Sequence, residues 1–249
     1  MMCFPRAISA LFVGALLWTQ SAVATPSPSV ISTDSLFAAN FDSFFVMRTV
    51  IIQPGSYYRQ IQRLEFVAIS IHDGSTRNTC TMLELLLTKD AENPDADWVE
   101  TEEIKHPCDI PQLLAEAGIT QPGTLSPGLP APPMQLTNNA IIVAHGPGAS
   151  ATALRDWEDV HTLARTMGQI ENVSWQWQQA NGEVNCPYCE ATSGLTPKEA
   201  CTIKPQAFQT PPTPWVFAQL TCWAGTDDTP GATFFIPISL STYNKAIAK

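Results

Sequence analysis

The cysteines constrain this chain more than any other feature of its sequence. Six of the seven lie beyond the N-terminal apolar segment, and they are Cys80, Cys108, Cys186, Cys189, Cys201 and Cys222. An even number of cysteines in an exported chain is typical of a disulfide framework. We therefore expect a disulfide-stabilised fold in which Cys80 pairs with Cys108, while the pairing of the other four stays open.

The first 24 residues have the pattern of a cleavable signal peptide. Arg6 precedes an uncharged apolar run from Ala7 to Trp18, and Ala22-Val23-Ala24 fits the small residues that signal peptidase cleaves after. This run is shorter than the roughly 20 residues that a membrane-spanning helix needs. We expect cleavage before Thr25, no membrane span in the mature chain, and a secreted or periplasmic location.

Charge and composition limit the partners of the mature chain. Removing residues 1–24 takes away Arg6 and no acid, so the formal net charge changes from −10 to −11. Such a surface repels phosphate backbones, and we expect no nucleic-acid partner. With 14% charged and 45% hydrophobic residues, the composition indicates a folded protein. The expected partner is another protein or an extracellular ligand.

The hydrophobic pattern predicts an α+β fold, a mainly antiparallel β-sheet with one principal helix. Leu154, Trp157, Val160, Ala164 and Met167 recur at helical spacing and predict that helix over about 151–167. Elsewhere apolar and β-branched runs predict strands, and Asp73-Gly74 predicts a turn. A dense apolar stretch covers 44–52. The predicted strands are 57–71, 79–88, 140–144, 215–223 and 233–240, with a further hairpin around Asn181-Gly182; within 79–88, residues 82–87 would also suit a helix, but the flanking threonines favour a strand.

Residues 118–137 are rich in proline and glycine, and we expect a linker or a long loop without helix or strand there. This divides the mature chain into a β-rich region at 25–117 and an α+β region at 138–249. Residues 25–35, rich in proline and serine, are expected to be an irregular lead. The acidic segment 84–116 is expected to be a solvated loop beyond its first strand.

The tetrapeptide Cys186-Pro187-Tyr188-Cys189 resembles the active-site motif of glutaredoxins, and Thr229-Pro230 resembles the cis-proline strand of the thioredoxin fold. This resemblance implies a thiol–disulfide oxidoreductase in which Cys186 is the nucleophile and Cys189 the resolving thiol. Two other readings use the same residues. In the first, Cys186 and Cys189 are structural disulfide partners. In the second, they form a metal site with Cys201 and Cys222.

The tryptophans support a third reading, in which the protein is a glycan-binding module. Trp175 and Trp177 share one face of a predicted strand, and Trp215 and Trp223 bracket another. Exposed aromatic faces of this kind stack on sugar rings, whereas half-buried ones belong to a core. The histidines show no metal-ligand spacing, and we expect no metal, no cofactor and no catalytic residue. The leading hypothesis is an exported interaction or structural protein of an extracellular or periplasmic system.

Overall fold

The computed structural model describes residues 29–53, 58–93, 95–120, 122–125, 134–145, 151–167, 201–210, 213–223 and 230–248. Within these ranges the chain forms twelve strands and three helices. In chain order they are β1 (Ser29–Ala39), β2 (Ser43–Gln53), β3 (Arg59–Ser70), β4 (Thr76–Thr88), β5 (Val99–Lys105), α1 (Ile110–Glu116), β6 (Thr124–Leu125), β7 (Met134–Leu136), β8 (Ala140–Val143), β9 (Thr152–Asp156), α2 (Trp157–Thr166), β10 (Cys201–Thr210), β11 (Trp215–Trp223), β12 (Pro230–Ser239) and α3 (Leu240–Ile247).

Most of the described strands belong to one large sheet. Its nine strands follow the order β5-β4-β3-β2-β1-β12-β11-β10-β6, and a second sheet has the order β7-β8-β9. Every pairing is antiparallel except that of β1 with β12, which places Ser32 beside Ala232 and Thr33 beside Thr233. The predicted fold class is confirmed: the molecule is mainly antiparallel β-sheet with few helical residues. Strands from both sides of residues 118–137 form the large sheet.

Side chains alternate between the two faces of β2 and β3, and each face packs into its own core. Phe44, Val46, Val67 and Ile69 belong to the larger core, together with the buried residues of α2 and of β10–β12. This apolar packing, rather than helix propensity, accounts for the position of the ten-residue α2.

The opposite face of β2 and β3 forms a smaller core. Phe45, Phe66 and Ala68 are buried there together with Leu114 of α1 and Ile119, which follows it. The disulfide between Cys80 and Cys108 joins β4 to the segment before α1 across a Cα–Cα distance of 5.8 Å. This confirms the predicted first bridge, and it fixes α1 against the sheet.

The turn between β3 and β4 confirms the prediction at Asp73-Gly74. Gly74 has a φ of +72°, a left-handed conformation that glycine adopts without the strain caused by a side chain. A Cβ at this position would lie 3.0 Å from the carbonyl oxygen of Leu163 in α2. The turn therefore packs directly beneath that helix, and glycine is needed for both conformation and space.

The predicted helix over 151–167 is wrong in its first part. Residues Thr152–Asp156 form β9, which pairs with β8, and the helix begins only at Trp157. Leu154 and Trp157 still pack against the larger core, as their spacing suggested. Pairing with β8 satisfies the backbone hydrogen bonds of residues 152–156 in a strand. This tertiary context overrides the local helical pattern of the segment.

Three expectations of irregular structure are also corrected. The segment 25–35 contains the start of β1, which pairs with both β2 and β12. The segment 118–137 contains the short strands β6 and β7. The acidic segment contains the exposed edge strand β5 and the helix α1. None of the helices in the described ranges has the length and hydrophobicity needed to span a bilayer.

Candidate functional site

A pocket of about 370 Å³ lies where the β1–β2 turn, β3, the start of β4 and α1 meet. This volume falls within the range of about 300–1,000 Å³ that is usual for small-molecule sites. We name it the α1 pocket. Its lining residues come from four segments that are distant in the sequence: Asn40, Asp42, Ser43 and Phe45, then Phe66 and Ala68, then Arg77 and Asn78, and finally Leu113, Glu116 and Ala117.

Aromatic rings form the apolar floor of the α1 pocket. Phe45 and Phe66 stack with their centroids 5.7 Å apart, and Phe37 meets Phe66 edge-on at 5.5 Å. Alternation along β2 and β3 puts Phe45, Phe66 and Ala68 on the same face, where the pairing of β2 with β3 places Phe45 opposite Ala68. The floor is rigid because both rings are almost fully buried in the smaller core.

One wall of the pocket is α1. Asp109 caps the helix, since its Oδ1 accepts a hydrogen bond of 2.9 Å from the backbone N–H of Gln112. Pro111 lies in the first turn, where its missing N–H costs nothing. At the other end the chain leaves the helix through Gly118, with a φ of +74°.

Asn40 fixes the opposite wall, which is the β1–β2 turn. Its Oδ1 accepts hydrogen bonds from the backbone N–H groups of Asp42 at 2.8 Å and of Ser43 at 2.7 Å. Its Nδ2 donates to the carbonyl oxygen of Ala117 at 2.9 Å. One side chain thus closes the turn and ties it to the end of α1, so that both walls keep their separation.

Three charged side chains lie at the rim of the pocket: Asp42, Arg77 and Glu116. Asp42 Oδ1 is 3.4 Å from Nε2 of His72, and Glu116 Oε1 accepts a 2.8 Å hydrogen bond from Nε2 of Gln112. Phe41, between Asn40 and Asp42, is 73% exposed beside this rim. An apolar floor under a polar rim is the usual construction of a binding site for a small organic molecule.

A buried ion pair lies on the other face of the sheet, beneath the end of α2. Arg48 Nε donates to Asp34 Oδ1 at 2.7 Å and Nη2 to Oδ2 at 2.9 Å, while Nη1 donates to the carbonyl oxygen of Met167 at 3.3 Å. Burial lowers the pKa of Arg48, but its hydrogen bond to Asp34 and the charge of that carboxylate outweigh burial and raise the pKa. The guanidinium therefore stays charged and joins the sheet to α2. Each of its three nitrogens donates to a protein oxygen, so the pair is structural.

Four of the six candidate cysteines form two disulfides. Cys80 pairs with Cys108, and Cys201 pairs with Cys222 across the neighbouring strands β10 and β11. The second bridge excludes a metal site built from Cys186, Cys189, Cys201 and Cys222 together, because disulfide sulfurs are not thiolate ligands. It also excludes bridges from Cys186 or Cys189 to either of these two cysteines.

Several predicted site residues lie outside the described residues. These are the possible redox pair Cys186 and Cys189, and the tryptophans Trp175 and Trp177. Trp215 is described, and it packs half-buried against the larger core rather than on an open face. In the described ranges, no group of three or more histidine, cysteine, aspartate or glutamate side chains is arranged to hold a metal ion.

The residues of the α1 pocket were not among the predicted site residues. One local signal was available, since Asp109 followed by Pro111 is a helix start and marks α1 as a packed element rather than as loop. A second is Asn40, which precedes Asp42 and Ser43 as an Asx-turn residue does. Neither signal states that these elements converge, because the convergence depends on the strand pairings.

No known protein family, curated protein or solved structure matches this chain.

Proposed function

We propose that this chain is an exported extracellular or periplasmic binding protein, and that the α1 pocket is its interaction site. The observation that carries the proposal is the pocket itself: about 370 Å³ with an aromatic floor and a charged rim. Its walls are held by the Cys80–Cys108 disulfide and by the three hydrogen bonds of Asn40. A preformed site of this kind binds without first ordering its walls.

Export is part of the same proposal. Its support is the signal-peptide pattern at residues 1–24 together with two disulfides, which persist in oxidising compartments. The test is expression in a host with a secretory pathway, followed by N-terminal sequencing of the released protein. We expect the sequence to start at Thr25. Retention of residues 1–24 in a cytoplasmic product would contradict this part of the proposal.

Filling the pocket tests the binding site. Ala117 lines the pocket at the end of α1, while Ala115 is exposed on the same helix. Ala117→Leu places three extra carbons in the pocket, and Ala115→Leu is its matched control. Both variants retain the carbonyl oxygen of Ala117 that accepts the hydrogen bond from Asn40 Nδ2.

The assay is a thermal-shift screen of organic acids, amines, sugars and short peptides against the wild type and both variants. A ligand at ten times its Kd raises stability by about 1.4 kcal/mol, which corresponds to a Tm increase of roughly 3–6 °C for a chain of this size. We expect a stabilisation that Ala115→Leu retains and Ala117→Leu loses. The binding role is refuted if no compound class stabilises the wild type, or if Ala117→Leu binds equally well.

The pairing of Cys201 with Cys222 favours one second candidate. It removes Cys201 and Cys222 as partners of Cys186 and Cys189, which lie outside the described residues, and this favours the Cys186-Pro187-Tyr188-Cys189 motif as the redox pair of a thiol–disulfide oxidoreductase with Cys186 as the nucleophile. Insulin reduction by the wild type that Cys186→Ser abolishes would support this function. Activity equal in the wild type and in Cys186→Ser, or absent from both, would exclude it.

A further inference from the structure

We propose that the α1 pocket binds small organic monocarboxylates with an apolar body, and that Arg77 holds the carboxylate. This inference rests on the proposed function and names the ligand class of the same site.

The charges at the rim are unequally satisfied by the described residues. Asp42 lies beside His72, and Glu116 accepts a hydrogen bond from Gln112. The side chain of Arg77 makes no hydrogen bond or ion pair with any residue in the described ranges, although it is the only cation among the residues that line the pocket. Arg77 is therefore the one charged group at this rim without a bonded partner among the described residues, and an anionic group is its complement.

A second polar group points to the same chemistry. Ser43 lines the pocket and is only 5% exposed, yet its hydroxyl has no hydrogen-bond partner among the described residues. Its backbone N–H is already used by Asn40. This hydroxyl faces the pocket with its donor unused by the described residues, so it can donate to a ligand oxygen there. Asn78, exposed beside Arg77, adds a further free amide donor.

The floor specifies the rest of the ligand. Phe45, Phe66, Ala68 and Leu113 offer apolar surface below the rim, so the body of the ligand is aromatic or aliphatic. The volume of about 370 Å³ is near the low end for ligand sites, which limits the ligand to a small molecule. A single ring with a short acid side chain has the required size and polarity.

The two carboxylates at the rim set the charge of the ligand. Asp42 and Glu116 repel additional negative charge, and together with Arg77 they leave the rim with a formal charge of −1. A monocarboxylate places its one charge on Arg77, whereas a dicarboxylate or a phosphate brings more charge towards the two acids. We therefore expect monocarboxylates to bind more tightly than dianions of similar size.

Three probes with the same apolar body test the inference: phenylacetate, phenylacetamide and phenethylamine. Their affinities are measured by NMR titration of the protein with both disulfides intact. We expect phenylacetate to bind most tightly, with a Kd of roughly a millimolar or below. Arg77→Gln should weaken phenylacetate about tenfold and leave phenylacetamide unchanged, because Arg77 acts on the charge alone.

Arg59→Gln is the matched control. Arg59 is also an exposed arginine of the large sheet, but it lines a separate small cleft with Ile61 and Glu84. This variant loses the same charge from the protein as a whole and should bind phenylacetate as the wild type does. Equal weakening in both variants would show that net charge, not Arg77, attracts the ligand, and would overturn the inference.

Other outcomes separate the inference from the proposed function. If phenethylamine binds most tightly and Ala117→Leu abolishes its binding, the pocket is a binding site but its ligand is a cation, and only the carboxylate inference fails. If phenylacetate binds equally to the wild type and to Arg77→Gln, the role of Arg77 fails. If none of the three probes shifts any pocket resonance and the wider screen is also negative, the proposed function fails as well.

Discussion

Removing one partner of the buried Asp34–Arg48 pair should destabilise the protein far more than removing both. The side chain of Asp34 is fully buried and that of Arg48 is 11% exposed, and two hydrogen bonds of 2.7 and 2.9 Å join them. Breaking such a pair costs about 3–5 kcal/mol because the remaining charge has no counterpart. We expect about 4 kcal/mol for Arg48→Met, which also loses the bond to Met167.

Replacing both partners removes the unpaired charge. Asp34→Leu combined with Arg48→Met leaves apolar side chains of similar volume, and such replacements are near neutral or stabilising. The assays are urea and thermal unfolding at pH 7 with the disulfides intact, both monitored by circular dichroism. Arg48→Met should lower the Tm by roughly 8–16 °C for a chain of this length, and the double variant by much less. Single-variant losses below about 1 kcal/mol would refute the argument.

The cost of Arg48→Met should also depend on pH. Burial raises the pKa of the Asp34 carboxyl, while the hydrogen bonds and the charge of Arg48 lower it, and the net direction is upward. Without Arg48 the lowering contributions vanish and the folded-state pKa rises further. Because the folded variant then holds its proton more tightly than the unfolded chain, its stability falls as the pH rises above about 4. The gap between Arg48→Met and the wild type should therefore narrow on acidification from pH 7 to pH 4, and a constant gap would contradict this.

Three further predictions concern the turns and the bridge. Gly74→Ala should destabilise the protein by about 1–3 kcal/mol, because φ is positive there and the new Cβ would lie 3.0 Å from Leu163. Gly118→Ala is the control: φ is also positive, but the new Cβ meets no atom within 4 Å, so this variant should cost less. Equal losses of stability would contradict the packing argument. Replacing Cys80 and Cys108 together by serine should lower the free energy of unfolding by about 3.5 kcal/mol, the value for a loop of 28 residues, and should weaken ligand binding at the pocket. Unchanged binding would show that α1 needs no covalent support. NMR titration should give Asp73 a pKa of about 2, because hydrogen bonds from Ser70 and Ser75 stabilise the carboxylate. The wild type should therefore lose this contribution to its stability as the pH falls from about 4 to 2, whereas Asp73→Asn should show no such loss. A pKa near 4 would contradict the turn geometry.

The sequence was most informative where a local pattern and its tertiary environment agree. β11 spans Trp215–Trp223, the range that its β-branched and aromatic residues predict. The Cys80–Cys108 bridge was also predictable, since these two cysteines stand apart from the other four. In both cases the information lies within the segment or in its separation from the rest.

Tertiary pairing explains the failures. Thr152–Asp156 carries helical spacing but becomes a strand because β8 offers it a hydrogen-bonding edge. Residues 29–35 look irregular, yet β2 and β12 flank them and complete their backbone bonds. The Asp34–Arg48 pair is a cross-strand contact that exists only in the register of β1 with β2. Register is set by the burial of whole faces, which no short segment specifies alone.

The α1 pocket was the least predictable feature, because four separate segments build it. Asn40, Ala68, Arg77 and Glu116 have no common motif, and only the pairing of β2 with β3 and of β3 with β4, together with the Cys80–Cys108 bridge, brings them together. Their individual roles are ordinary: a turn, a strand, a rim charge and a helix end. The chemistry of the site appears only once these positions are combined.

Chemical-shift mapping of the disulfide-intact protein with phenylacetate tests the central claim most directly. If the α1 pocket is the binding site, the perturbed amides should cluster at residues 40–45, 66–68, 77–78 and 113–117, and Ala117→Leu should abolish the changes. Perturbations confined to β10–β12, or changes at the pocket that persist unaltered in Ala117→Leu, would contradict it.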